Sequence, residues 1–233
     1  MPISEWVRLP SAWIDAHGLA DLPWKSGGDG SDNTAALMAL TVIAHAADPD
    51  TGIARATYDD ICNVAGLSRA KLSNGLDVLK KIKVIEEQSR STYRLANFGE
   101  GHRWAKIPAK SMYSVGRITA FADFQLRRAA ELDALKLFFL FAARRGSDTN
   151  RANIGYEKIE DYTGIKKVRI KTGISFLASL SLVYVEQVPS KTNSFGVSSA
   201  YRLVGLDSYN HLGTKGRGSL QADTAPVDYT PHL

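Results

Sequence analysis

Four cations within six residues, Lys166, Lys167, Arg169 and Lys171, are the densest charge in this chain. They fall at the start of a helical pattern, where each positive side chain opposes the helix dipole by roughly a few tenths of a kcal/mol. An anionic ligand offsets that cost, and Thr172 adds a hydroxyl beside the cluster. A related group, Arg69, Lys71, Ser73 and Asn74, carries fewer charges and two neutral hydrogen-bonding side chains. Neither group contains a nucleophile with its base or a set of metal ligands. The chemistry they suit is recognition of a polyanion.

Catalytic readings fail on order and spacing. Ser31-Asp32-Asn33, Ser68-Arg69-Ala70-Lys71 and Lys171-Thr172-Gly173 match the three short motifs of serine β-lactamases and penicillin-binding proteins. In those enzymes, however, Ser-x-x-Lys precedes Ser-Asp-Asn. The five histidines are scattered, without cysteine or carboxylate at metal-ligand spacing. Gly213-Thr214-Lys215-Gly216-Arg217-Gly218 lacks the ending of a phosphate-binding loop. We therefore expect no enzyme activity, cofactor or metal. The single cysteine, Cys62, has no partner in the chain and reads as a packing residue in a reducing compartment. The start, Met-Pro-Ile-Ser-Glu-Trp, lacks signal-peptide character, and the most apolar run, Leu132 to Ala143, is short and carries Asp133 and Lys136. These features predict a soluble cytoplasmic protein without a membrane partner. A net charge of +5 and a pI near 9.2 are compatible with a nucleic acid but do not demand one.

The elements that position the two clusters are legible because the chain repeats itself. Trp6–Gln88 matches Trp104–Glu186 at an offset of 98 without a gap, with fourteen identities, among them Trp6, Pro10, Ala36, Ala54, Tyr58, Gly66, Gly75 and Leu79. Each copy predicts one small domain. Thr34 to Asp48 has helical apolar spacing behind the capping cluster Ser31-Asp32-Asn33, and Leu132 to Arg145 is its counterpart. Ile53 to Ala56 reads as a strand, and Thr57 with Asp60 forms a capping box opening a second helix. Gly66 supplies the left-handed turn before a third helix from Ser68, which buries Leu72, Leu76 and Leu79. Val84 to Glu86 and Ser91 to Leu95 then form a hairpin. The second copy repeats this order with a wing ten residues longer, whose insertion, Val188 to Ser199, contains Lys191. Helix, strand, helix, turn, helix and hairpin make a winged helix. The expected fold is α+β, mainly α, with two tandem winged-helix domains at 1–98 and 99–206 and a flexible tail at 207–233.

The run Ala65-Gly66-Leu67-Ser68-Arg69-Ala70-Lys71-Leu72-Ser73 resembles the turn and recognition helix of bacterial winged helix-turn-helix DNA-binding proteins. The tandem arrangement resembles plasmid and phage replication initiators built from two winged helices. This resemblance implies that the third helix enters the major groove of double-stranded DNA and that the wing follows the backbone. Arg69, Ser73 and Asn74 would then face base edges, since arginine pairs with guanine and asparagine with adenine through two bonds. Lys71 and Arg90 would hold phosphate. In the second copy Lys166, Lys167, Arg169 and Lys171 would bring four positive charges to the DNA with Thr172 near the groove, while the wing loop with Lys191 suits a nucleic-acid backbone or groove, or is a plain mobile hairpin loop. Replication initiation and transcription regulation are the implied processes, with a second copy of the chain or the replication or transcription machinery as further partners. The rival expectation is an assembly protein using winged helices as protein-protein modules, with Trp13, Trp24 and the Phe121 to Phe124 region as its apolar surface.

Overall fold

The computed structural model describes residues 3–25, 29–99, 101–189 and 197–206. In the first half, β1 (Trp6–Pro10) and α1 (Ala12–Asp15) lead to the long α2 (Asp29–Ala46), then β2 (Ile53–Arg55), α3 (Tyr58–Ala65), α4 (Arg69–Lys81), β3 (Ile85–Ser89) and β4 (Thr92–Leu95). The second half runs β5 (Trp104–Pro108), a small hairpin β6 (Tyr113–Ser114) and β7 (Arg117–Ile118), α5 (Ala129–Ala143), β8 (Arg151–Asn153), α6 (Tyr156–Thr163), α7 (Lys167–Ser179), β9 (Val183–Pro189) and β10 (Val197–Leu203). The fold is mixed α and β, with small antiparallel sheets. Among the described residues no helix is long and apolar enough to cross a membrane.

The offset of 98 recurs in the elements. β1 and β5, β2 and β8, α3 and α6, and α4 and α7 begin and end on residues that far apart. The correspondence breaks between the first strand and the long helix, where one half has α1 and the other the hairpin β6–β7. Gly18 and Gly116, identical in the gapless match, therefore occupy unlike structures. Gly116 sits at φ 75° in the hairpin turn, whereas a Cβ on Gly18 would meet the Trp13 carbonyl oxygen at 2.7 Å.

Each half closes a three-stranded sheet, ordered β2-β4-β3 in one and β8-β10-β9 in the other. The central helices α2 and α5 are buried almost all round, from Asn33 to Ala44 and from Glu131 to Ala142. Such helices belong in the middle of a core. They pack on each other and on α4 and α7, and one apolar cluster runs through both halves. Ser31, Asp32 and Asn33 do not cap α2 but lie inside its first turns, because their side chains bond elsewhere: Asn33 donates to the Pro23 carbonyl, and Asp32 accepts from α4.

The halves are joined by β1 and β5, an antiparallel pair in which Arg8 lies opposite Lys106. Those two residues are themselves 98 apart, so a pseudo-twofold axis passes between them. The outer face obeys it. Trp6 stacks on Trp104 at 5.8 Å, with Arg8 over the Trp104 ring and Lys106 over the Trp6 ring. His45, at the end of α2, adds a second tie to this region: its Nε2 lies 3.0 Å from the Pro108 carbonyl and its Nδ1 3.0 Å from the Tyr113 hydroxyl. The carbonyl can only accept, so Nε2 carries the proton and Tyr113 donates to Nδ1.

Burial holds the His45 pKa down at about 4, against about 6.5 for an unfolded histidine. As pH falls from 6.5 towards 4, the unfolded chain takes up a proton that the folded chain refuses. The stability His45 contributes is thus complete above pH 6.5 and lost on the way to 4, by about 3 kcal/mol. Urea midpoints at pH 7 and 4.5 should show a smaller drop for His45→Gln than for the natural chain. Helix packing yields a second expectation. A Cβ on Gly75 would lie 2.8 Å from the Ala36 nitrogen and 2.9 Å from the Ala35 carbonyl carbon, both backbone atoms. Gly75→Ala should cost about 1–3 kcal/mol in denaturant unfolding through overpacking, while leaving the α4 sequence otherwise helical.

Candidate nucleic-acid interface

The two helix-turn-helix units are built by local chemistry that differs between the halves. In the first, Thr57 and Asp60 exchange hydrogen bonds as a capping box, and Gly66 ends α3 at φ 70°. Ser68 then caps α4, its hydroxyl accepting from the Lys71 nitrogen. In the second, Gly164 ends α6 at φ 67°, but Gly155 and Lys166 occupy the cap positions of α6 and α7 and offer no side-chain acceptor. The amides opening α7 are therefore left with no side-chain acceptor from Lys166, and Lys166 and Lys167 are exposed beside them.

Charged residues at equivalent positions play equivalent parts. Arg69 meets Asp59 at 2.6 Å, and Lys167 meets Glu157 at 3.0 Å, each pair joining the two helices of one unit at the surface. Such exposed pairs are worth little and exchange readily for another anion. Lys71 and Arg169 are different. Lys71 donates to Asp32 at 2.7 Å and to the Ser31 hydroxyl at 2.6 Å, tying α4 to α2. Arg169 grips Asp133 through two nitrogens at 2.8 and 2.9 Å, tying α7 to α5, and the Asp133 side chain is only 5% exposed. Burial pushes the Asp133 carboxyl above the usual carboxylate range, against the opposing pull of Arg169 and Lys136. Lys136, buried beside it, donates to the Thr163 carbonyl at the end of α6 and is held down at about 8 by desolvation.

The sequence places all four cations of the second cluster outward, and the structure separates them. Lys166, Lys167, Lys171 and Thr172 are exposed, whereas Arg169 turns in to Asp133, the carboxylate inside the apolar run. In the first half Arg69 and Asn74 are exposed, while Ser73 and Lys71 are half-buried. Asn74 also donates to Asp32 at 3.2 Å. Arg90 is exposed at the turn between β3 and β4, on a hairpin that also displays Glu86 and Glu87. On β9 Glu186 is neutralised by Arg151 and Arg202. Lys191 lies outside the described residues, as does the segment 207–233. Phe121 and Phe124 are buried, and Trp13 and Trp24 pack against the core, so these aromatics do not form the apolar surface that the assembly reading requires.

The outer stripe of α7 is Val168, Lys171, Thr172 and Ser175, all exposed, on a helix without a single carboxylate. Its counterpart on α4 is Ala70, Ser73, Asn74 and Asp77. Removing Arg169 with Arg169→Ala strands the buried Asp133 and should lower stability by about 2–4 kcal/mol. Lys171→Ala should shift it by less than about 0.5 kcal/mol. Thermal melts of the two variants check this ordering. No protein-family model matches the chain, and no curated protein matches its sequence.

Proposed function

We propose that this chain is a sequence-specific double-stranded DNA-binding protein of two tandem winged helices, divided at 1–98 and 99–206. It works without chemistry or cofactor of its own, in the cytoplasm, at a replication origin or operator of a plasmid, phage or other mobile element. The observation that carries this reading is the outer face at the start of α7, where Lys166, Lys167, Lys171 and Thr172 are exposed, α7 itself carries no acidic side chain, and of these four only Lys166 and Lys167 meet carboxylates, Glu160 at 3.9 Å and Glu157 at 3.0 Å on α6. Lys71 and Arg169 do not grip phosphate but hold α4 and α7 on α2 and α5 through Asp32 and Asp133. Arg69 and Lys167 leave weak surface pairs for phosphate, and Arg90 adds a contact from the first wing.

With those residues engaged, about four to six phosphates are neutralised, and each released counterion steepens the logarithmic salt dependence by about 0.9. Fluorescence anisotropy against duplex DNA from the gene's own neighbourhood should therefore give a slope near −4 to −5. Lys171→Ala should weaken every duplex alike and flatten the slope by about one unit. A slope near zero, or no binding to any duplex, overturns the reading.

A further inference from the structure

On α7 the large apolar side chains divide sharply. Ile170, Ile174 and Leu177 are buried and Phe176 is half-buried, but Val168 is 87% exposed. It stands at the head of the outer stripe, one residue after Lys167 and one turn before Lys171 and Thr172. Burial of a valine is ordinarily favourable, and this one is presented to solvent between two lysines, where an anionic partner would arrive. Its equivalent on α4 is Ala70, also exposed, so both helices put a methyl-bearing side chain at the same point of the same face.

Resting on the DNA-binding reading, we infer that Val168 is a specificity-determining residue that recognises thymine, its γ-methyl groups packing on the C5-methyl group in the major groove. The groove edge of an A·T pair offers that methyl as its one apolar feature, and a side chain without donors or acceptors can select only for it. A guanine or cytosine at the same step would set a polar edge against valine and leave its hydrogen-bonding groups unpartnered. Lys167 and Lys171 flank Val168 with positive charge, which suits the phosphates on either side of a groove. Thr172, on the same stripe, can donate to or accept from a neighbouring base. Ala70 offers one methyl group where Val168 offers two, so α4 discriminates the same feature less strongly.

The test uses the full chain. A preferred duplex is selected from a randomised library, and each thymine in it is then replaced singly by uracil, which removes the methyl and nothing else. One replacement should weaken binding by roughly three- to ten-fold. Val168→Asn should bind the thymine duplex more weakly and lose that sensitivity, giving the same affinity for thymine and uracil at that position. Two results overturn the inference while leaving DNA binding intact: tight binding unaffected by any uracil, or a uracil penalty that persists unchanged in Val168→Asn. Failure to bind any duplex overturns the inference together with the reading beneath it. Circular dichroism of Val168→Asn guards against unfolding, and Val168→Thr, which keeps one methyl group, should retain part of the thymine preference.

Discussion

The close crossing of α4 on α2 and of α7 on α5, backbone against backbone at Gly75 and against the Leu137 and Asp133 side chains at Gly173, is the constraint on which the outer surface depends. At Gly75 a Cβ would strike the Ala35–Ala36 backbone, and at Gly173 it would lie 2.8 Å from a Leu137 methyl and 3.2 Å from the Asp133 Cβ. A glycine at the crossing lets the helices close, and it also fixes the rotation of α4 and α7 about their own axes. With Gly75 inward, Leu72, Leu76 and Leu79 must follow, and Ala70, Asn74 and Asp77 are left facing out. The same logic on α7 buries Ile170, Ile174 and Leu177 and presents Val168, Lys171, Thr172 and Ser175. The choice of outward-facing residues is thus made by the packing on the opposite face.

The ion pairs beside those crossings lock the arrangement in two slightly different ways. Asp32 and Asp133 do not correspond at the offset of 98; Asp133 lies one turn further along its helix. Lys71 reaches a carboxylate with a neighbouring hydroxyl, whereas Arg169 forms a two-pronged pair with a nearly dry one. A guanidinium fork suits the deeper site because it satisfies both carboxylate oxygens at once, which a burial this costly requires. Lys136 adds positive charge nearby and, by bonding to the Thr163 carbonyl, joins α5 to the turn before α7. The position of α7 is therefore set on two sides by charged groups rooted in α5.

Sequence alone was most informative where structure is local. The capping box at Thr57 and Asp60, the left-handed Gly66 and Gly164, and the Ser68 cap each leave their mark within four residues, and α3, α4, α6 and α7 are readable from them. Elements whose cause lies far along the chain were not readable. Trp6-Val7-Arg8-Leu9-Pro10 repeats as Trp104-Ala105-Lys106-Ile107-Pro108, yet nothing within either segment says that the two copies pair with each other. Arg169 shows the same limit at the candidate site. A cation in the first turn of a helix reads as solvated until its partner, 36 residues earlier in an apolar run, is seen beside it. The available signal was Asp133 itself, since a carboxylate in such a run needs a counterion once it is buried.

Comparing the halves separates framework from surface without reference to any other protein. The residues that join elements keep their chemistry at the offset of 98: Arg69 and Lys167 on Asp59 and Glu157, Lys71 and Arg169 on the central helices, Gly75 and Gly173 at the crossings. The outer stripes keep almost none. Ala70 faces Val168 in the comparison, Ser73 faces Lys171, Asn74 faces Thr172 and Asp77 faces Ser175, so one stripe is polar with a carboxylate and the other cationic with an exposed aliphatic group. Asp77 is partly offset by Lys80, but it still brings negative charge to a face that would meet phosphate, while α7 brings none. On the proposed DNA-binding reading, electrostatic attraction would order the two faces, with α7 the stronger anchor and α4 the more dependent on hydrogen bonds through Asn74 and Ser73. On that same proposal, a pseudo-twofold frame that carries unlike faces suits a duplex whose two halves differ in sequence.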